Sequence, residues 1–156
     1  MDAARRELIA FLQEARAESV ALARSLSAQD LKVPVHLEGW DVKDVVAHMA
    51  SSEAGLINTA NRIAAGQGQP SPGFDLHTHN QRQVEKRRAQ SVEELLAEME
   101  RSRAEMLPAL ASMSDEQLAA NGFMSSGLPT DVLAVFRRIG DHEKAHCQEI
   151  RGAIGR

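Results

Sequence analysis

Aromatic residues and cysteine are scarce in this chain of 156 residues. Phe and Trp together make up 3% of it, Tyr is absent, and Cys147 is the one cysteine. A single cysteine excludes an intrachain disulfide, so the chain needs no oxidising compartment to fold. The lack of aromatics argues against a β-sandwich core and against nucleic-acid binding by base stacking. A core of Leu, Ala, Val, Ile and Met is expected instead, which suits packed helices.

The chain also lacks an excess of positive charge and a long apolar run. Its net charge is −4 and its pI is about 5.9, so nothing draws it broadly to nucleic acid or to an anionic membrane. Residues 85–88 form one short basic run, which is typical of a solvated helix face. No run approaches the roughly 20 apolar residues that span a bilayer, and the N-terminus has no signal-peptide core. We therefore expect a cytoplasmic protein that binds neither nucleic acid nor membranes.

Four amphipathic stretches dominate the chain. Apolar residues recur at steps of three and four over about 2–26 and 41–66, from a start between 77 and 80 to about 110, and from 130 onwards. No segment alternates with period two, so strands are not expected. The pattern predicts an all-α four-helix bundle that forms a single domain over residues 1–156.

Several predicted helix starts carry capping signals. Asp41 and Asp44 have the spacing of a capping box at the start of the second helix. Ser91 and Glu94 have the same spacing inside the third stretch, where Ser91 either interrupts the helix or caps a new one. Thr130 is the predicted N-cap of the last helix.

Three histidines lie on predicted helices where they can meet. His142 and His146 are one helical turn apart, so both side chains lie on one face of the last helix. His48 lies on the second helix. If these helices pack together, the three imidazoles can hold a divalent transition metal, with Zn²⁺ as the first choice and Ni²⁺ as the second. Three protein ligands leave a coordination position open, which is typical of a catalytic site.

A structural interpretation of the same histidines stays open. His-x-x-x-His is common on helices that bind no ion, and His48 alone fits a hydrogen-bonded core residue. His77 and His79 are interpreted as part of a surface loop that could cover a metal site as a lid, and His36 as an exposed residue. Cys147 is interpreted as a small buried apolar residue rather than a nucleophile.

Charged residues near the histidines are further candidates. Glu53, Glu143 and Glu149 could each orient a ligand or act as a base. Arg137 and Arg138 precede His142 by about one turn and could bind an anionic substrate or a thiol cofactor. Solvated helix arginines are the alternative interpretation.

Three segments resemble one known family. Residues 40–53 resemble the second-helix signature of the DinB/YfiT-like four-helix-bundle superfamily. They are most similar to the branch that contains the N-terminal domain of mycothiol-dependent maleylpyruvate isomerase. Residues 141–151 resemble its last-helix signature, and residues 80–103 are similar to its third helix, with Asn80 and Arg82 as candidate pocket residues. The resemblance covers nearly the whole chain.

The resemblance implies a fold, a metal site and an activity. It implies up-down-down-up helix order and a divalent metal near one end of the bundle, with His48, His142 and His146 as its ligands. Many members use a low-molecular-weight thiol, such as mycothiol or bacillithiol, whose sulfur approaches the metal. A metal-dependent thiol S-transferase or isomerase that detoxifies electrophilic small molecules is therefore expected.

Two departures from the isomerase branch leave other functions open. Some mycothiol enzymes have a carboxylate at one position of the last-helix pair, whereas both positions are His here. The C-terminal domain of that branch has no expected counterpart within these residues. A hydrolase that uses metal-bound water, or a non-enzymatic stress-associated binding or dimerisation module, is the alternative. A homodimer is compatible with the resemblance, because relatives often pair through bundle faces.

Overall fold

A computed structural model describes residues 2–35 and 39–156. Within these ranges the chain forms six α-helices, one turn of 3₁₀ helix at Asp30–Lys32, and two short strands. They are α1 (Ala3–Ser25), α2 (Val42–Ala64), α3 (Leu76–Arg87), α4 (Val92–Ser112), α5 (Asp115–Leu118), β1 (Asn121–Phe123), β2 (Pro129–Asp131) and α6 (Val132–Ile154). The long helices α1, α2, α4 and α6 form the bundle, which confirms the predicted fold class. In the described part of the chain, no helix combines the length and the apolar character needed to cross a membrane.

Contacts at both ends of the bundle give the up-down-down-up order. α1 runs parallel to α6 and antiparallel to α4, whereas α2 runs antiparallel to α6. The pairs that define these directions are Glu14–Lys144 and Glu18–Arg151 for α1 with α6, and Arg5–Ala111 and Arg24–Glu93 for α1 with α4. For α2 with α6 they are His48–His146 at one end and the apolar cluster containing Ala60 and Phe136 at the other.

The predicted capping boxes are present. The backbone N–H of Asp44 donates to Asp41 Oδ1 at 2.9 Å, and the backbone N–H of Asp41 donates to Asp44 Oδ2 at 3.2 Å. Ser91 and Glu94 make the equivalent pair, so Ser91 caps a new helix and the third predicted stretch divides into α3 and α4. These caps fix where α2 and α4 begin, because their side chains satisfy backbone donors that the first turn leaves unpaired.

The prediction that the chain has no strands is wrong. β1 and β2 pair antiparallel, with Gly122 opposite Thr130. Three residues per strand are too few for an alternating pattern to be recognised in the sequence. The prediction that Thr130 caps the last helix is also wrong. Thr130 is held in β2, and the next residue, Asp131, caps α6 by accepting the backbone N–H of Ala134 at 2.8 Å.

The core consists of two apolar clusters with a buried ion-pair network between them. One cluster surrounds Trp40, Val45 and Leu95, and the other surrounds Leu12 and Phe136. The network takes one charged side chain from each long helix: Arg16, Glu53, Arg103 and Glu143. We refer to these four residues as the four-helix ion-pair network.

The four-helix ion-pair network balances its charges. Arg16 Nε donates to Glu143 Oε1 at 2.7 Å, and the Arg16 guanidinium also pairs with Glu53. Arg103 donates to Glu53 Oε1 at 2.7 Å and to Glu143 Oε2 at 2.8 Å. Further arginine donors reach backbone carbonyl oxygens on α1 and α4. Burial alone lowers the pKa of Arg16, but the two carboxylates outweigh burial and raise it.

Candidate metal centre

The three predicted histidine ligands converge between α2 and α6. His142 Nε2 lies 3.2 Å from His48 Nε2 and 3.0 Å from His146 Nε2. One ring nitrogen from each histidine lies within 4.8 Å of the other two. His48 is buried, and His142 and His146 are half-buried. The helices therefore bring together residues that are almost one hundred positions apart in the sequence.

The spacing of these nitrogens fits a transition-metal ion. Bonds of about 2.0–2.1 Å place imidazole nitrogens about 3.3 Å apart at tetrahedral angles and about 3.0 Å apart at right angles. The observed separations of 3.0 and 3.2 Å lie at these values. These two separations, both measured from His142 Nε2, fit imidazoles that share one ion, and the third pair of nitrogens lies within 4.8 Å.

Hydrogen bonding alone satisfies this triangle poorly. A neutral imidazole nitrogen carries either one hydrogen or one lone pair. His142 Nε2 has a histidine nitrogen on each side and can make a good hydrogen bond to only one of them. A cation at the centre would accept a lone pair from all three rings.

Burial keeps the three imidazoles in the form that binds metal. Desolvation lowers the pKa of His48 to about 4 and that of His142 to about 3, and the charge of His146 adds to both shifts. Burial also lowers the pKa of His146, although Glu149 opposes the shift. All three rings are therefore neutral at pH 7, with lone pairs available for an ion.

Two further side chains, Trp40 and Glu149, lie close to the histidines. The Trp40 ring lies 5.1 Å from the His48 ring, and Trp40 Nε1 donates to Gln81 Oε1 at 3.0 Å. Glu149 Oε2 lies 3.6 Å from His146 Nδ1, which is slightly longer than a hydrogen bond. Of the three glutamates proposed as orienting groups or bases, Glu149 is the one near a histidine nitrogen.

The other two glutamates belong to the four-helix ion-pair network. Glu53 and Glu143 each contact the guanidinium groups of both Arg16 and Arg103. Both carboxylates are therefore engaged with arginines in this structure rather than with the histidines. We did not predict roles for the two arginines.

A signal for these arginines is present in the sequence. Arg16 follows Leu12 by four positions and precedes Ser19 by three, so it interrupts the buried stripe of α1. Arg103 interrupts the stripe of α4 in the same way, between Met99 and Met106. A charged residue on a buried stripe indicates a buried ion pair.

A pocket of about 330 Å³ opens beside His48 and His142. Its walls come from α2, from the segment that begins α3, from the connection between β1 and β2, and from α6. Small polar side chains of Ser, Thr and Asn alternate with the apolar residues Leu56, Phe74, Leu76, Met124 and Leu128. The volume lies within the range of small-molecule sites, roughly 300–1,000 Å³.

The prediction that His77 and His79 lie in a loop is wrong. Both belong to the first turn of α3, where the Asp75 side chain accepts the backbone N–H of His77 at 3.1 Å. His79 nevertheless lines the pocket, as does Asn80. Arg82 lines a separate hollow.

Among the remaining candidates that the structure describes, Arg138 lines the pocket, whereas Cys147 and Arg137 do not. Cys147 is buried, as predicted, and burial raises its pKa to about 11, so it is a poor nucleophile. His36 lies outside the described residues. Arg137 stacks 4.2 Å from the centre of the Phe11 ring and lies away from the pocket, whereas Arg138 lines it.

The comparisons with known proteins agree with this fold. The family model of the mycothiol maleylpyruvate isomerase N-terminal domain matches residues 12–151, which include all three histidines. No curated protein sequence matches the chain. YfiT from Bacillus subtilis, a probable metal-dependent hydrolase with an unusual four-helix bundle topology, has a similar structure. Its TM-score is 0.78 at 16% identity, over 99% of this chain and 90% of that chain.

The mycothiol-dependent maleylpyruvate isomerase is also similar in structure. Its TM-score is 0.78 at 14% identity, over 99% of this chain and 65% of that chain. A histidine-to-alanine mutant of the isomerase gives 0.77 at 13% identity, over 96% and 63%. The chain thus spans less than two thirds of these isomerase chains. At such identities the structures show the fold, whereas the family model covers most of the sequence. The chain belongs to the family of mycothiol maleylpyruvate isomerase N-terminal domains.

Proposed function

We propose that this protein is a metal-dependent S-transferase or isomerase that uses a low-molecular-weight thiol of the mycothiol or bacillithiol type. His48, His142 and His146 would hold a divalent transition metal, with Zn²⁺ as the first choice and Ni²⁺ as the second. The main support is the convergence of three neutral imidazole nitrogens beside a pocket of small-molecule size. When bound, such an ion lowers the pKa of a coordinated thiol or water and so supplies a nucleophile at neutral pH.

The surrounding residues would orient the site rather than transfer protons. Trp40 packs on His48, and Glu149 lies near His146 Nδ1. The four-helix ion-pair network ties α2 to α6, which carry the proposed ligands. The pocket walls would bind the electrophile and exclude water from it.

Metal content tests the proposed ligands directly. Protein purified without a metal-affinity column should carry a transition metal, and the His142→Ala variant should lose it because two nitrogens bind far more weakly than three. His77→Ala is the matched control, since His77 lies on α3 outside the cluster. Equal metal content in the wild type and in His142→Ala would contradict the site.

Activity assays test the proposed reaction. Mycothiol, bacillithiol and glutathione would each be offered with a nitro-activated aryl chloride, whose carbon forms a bond to sulfur as chloride and the thiol proton leave. We expect thiol consumption that stops after chelation and returns with Zn²⁺. Metal-dependent turnover with any thiol would exclude the non-enzymatic binding module.

A hydrolase is the second candidate function. The similarity to YfiT, a probable metal-dependent hydrolase, favours it. Ester or amide cleavage in the absence of any thiol would identify this function, because water would then be the nucleophile.

We also propose that residues 1–156 form one domain, since the four-helix ion-pair network joins all four long helices. Formation of a homodimer and a cytoplasmic location stay predictions. Light scattering of the purified protein would test the dimer.

A further inference from the structure

We propose that the pocket beside the histidines takes a small amphipathic carboxylate, with its acid group at Arg138 and its apolar part against Leu76 and Leu128. This inference rests on the proposed function, because it takes that pocket as the substrate site. It adds the residue that would bind an acid group and the apolar character of the rest of the ligand, which the histidines do not provide.

Arg138 is the first observation. It lies one helical turn before His142, lines the pocket, and its charge contributes to the lowered pKa of His142. Among the described residues it has no hydrogen-bond or ion-pair partner, whereas its neighbour Arg137 lies 3.7 Å from Asp141 and stacks on Phe11. A guanidinium without a partner offers a planar set of donors that matches a carboxylate.

The charge of the pocket wall is the second observation. The chain has 22 acidic residues and a net charge of −4, yet none of the described residues that line this pocket is acidic. Arg138 therefore gives the pocket a net positive charge and favours an anionic ligand.

Exposed apolar side chains are the third observation. Leu76 is 54% exposed and Leu128 is 51% exposed, the two highest values among the large apolar residues in the described part of the chain. They come from separate segments, yet both line this pocket, together with Phe74 and Met124. An apolar ligand surface would cover them and remove them from water, which favours binding. A volume of about 330 Å³ suits a medium-chain or aryl acid.

Calorimetric titration tests the anionic subsite. Octanoate, its uncharged analogue octanamide and the shorter butyrate would be titrated into the full chain, both with Zn²⁺ and after chelation. Octanoate should bind more tightly than octanamide in both states. Arg138→Gln should weaken octanoate binding about tenfold and remove its advantage over octanamide. Arg138→Lys should retain part of that advantage, and Arg137→Gln should retain all of it.

Chain-length preference tests the apolar part. Leu76→Asn and Leu128→Asn should each reduce the preference for octanoate over butyrate by about threefold or more, because each removes apolar contact area. Leu133→Asn is the matched control, since Leu133 is 39% exposed and does not line the pocket.

Several outcomes would overturn the inference. They are the absence of octanoate binding, equal binding of octanoate and octanamide, and an octanoate preference that survives in Arg138→Gln. A preference seen only with Zn²⁺ would also overturn it, because the carboxylate would then be a metal ligand. Metal content is measured separately on the same samples. Loss of the metal site together with a retained Arg138-dependent preference would therefore contradict the proposed function and not the anionic subsite.

Discussion

Burial determines what the individual histidines can do. A solvated imidazole has a pKa near 6.5, so it is partly protonated in mildly acidic conditions and competes poorly for metal. Desolvation lowers the pKa of His48 to about 4 and that of His142 to about 3. The folded chain therefore keeps these lone pairs available well below neutral pH.

The same pKa shifts predict how acid affects the metal-free protein. The unfolded chain binds protons at its histidines near pH 6.5, whereas the folded chain binds them at His48 and His142 only near pH 4 and below. The unfolded state therefore holds more protons between these limits, and stability should fall as pH falls through that window. We expect a loss on the order of 1–2 kcal/mol per histidine between pH 7 and pH 5 in urea unfolding.

A variant isolates this effect from other titrating groups. His142→Phe fills a similar volume without a titratable nitrogen, so its unfolding free energy should depend less on pH than that of the wild type. An equal pH dependence in both proteins would contradict the assigned shift. Leu133→Asn, a change at an exposed position that adds no titratable group, should show the same pH dependence as the wild type.

Trp40 provides an optical signal for the candidate metal site. It is the chain's single Trp, Tyr is absent, and its ring lies 5.1 Å from the ring of His48. Cu²⁺ or Ni²⁺ should quench its emission, because an open-shell ion close to the indole offers a non-radiative route. Zn²⁺ should quench far less. In His142→Ala the Ni²⁺ quenching should require much higher ion concentrations, whereas unchanged quenching would mean that the ion binds elsewhere.

At the scale of helices, the Phe11 ring of α1 packs directly against a glycine of α6. A Cβ atom added at Gly140 would lie 2.3 Å from Cε1 and 2.9 Å from Cζ of Phe11. Gly152 is also on α6, but a Cβ there would have nothing within 4 Å. Alanine substitutions at the two positions therefore distinguish the cost of a packing clash from the gain in helix propensity.

These glycines should respond in opposite directions to alanine. Gly140→Ala should lower the free energy of unfolding by about 1–3 kcal/mol, because the Phe11 ring must move. Gly152→Ala should raise it by up to about 1 kcal/mol, since alanine favours the helix. Thermal unfolding of both variants measures the difference. Equal stabilisation by both would mean that Phe11 gives way at little cost.

Elements were predictable from sequence where their signals are local. The capping box of Asp41 and Asp44 lies within four residues, and it correctly marked the start of α2. The Thr130 cap failed because that residue pairs with Gly122 across a hairpin. Likewise, the spacing of His142 and His146 is local and readable from the sequence. Their approach to His48 depends on how α2 packs against α6, which the family resemblance implied and the sequence pattern alone could not indicate.

At the scale of the whole molecule, the four-helix ion-pair network connects every long helix. Arg103 and Glu143 have side chains only 4% and 5% exposed, so each charge depends on its partners for solvation. Removing one partner leaves an uncompensated charge in the core. The ion pairs of this network could not be predicted from the sequence, because Arg16 and Glu143 are 127 positions apart and many other acidic residues could pair with Arg16.

Loss of one arginine should therefore be costly. Arg103→Met keeps much of the side-chain volume but leaves Glu53 and Glu143 underpaired, so we expect a loss of about 3–5 kcal/mol in urea unfolding followed by circular dichroism. Arg24→Met is the matched control, because Arg24 and Glu93 form an ion pair whose side chains are 61% and 68% exposed. It should cost less than about 1 kcal/mol. Similar losses in both would mean that the core tolerates the unpaired carboxylates.

The short hairpin has a consequence for how relatives can diverge. The candidate ligands are fixed on α2 and α6, whereas Met124 and Leu128 reach the pocket from the connection between β1 and β2. Met124 also packs against the apolar cluster around Leu12 and Phe136, whereas Leu128 is 51% exposed, so the Leu128 end of this connection can change without disturbing helix packing. Relatives could therefore differ in the ligand that the pocket takes through changes in this turn, while the three histidines stay the same.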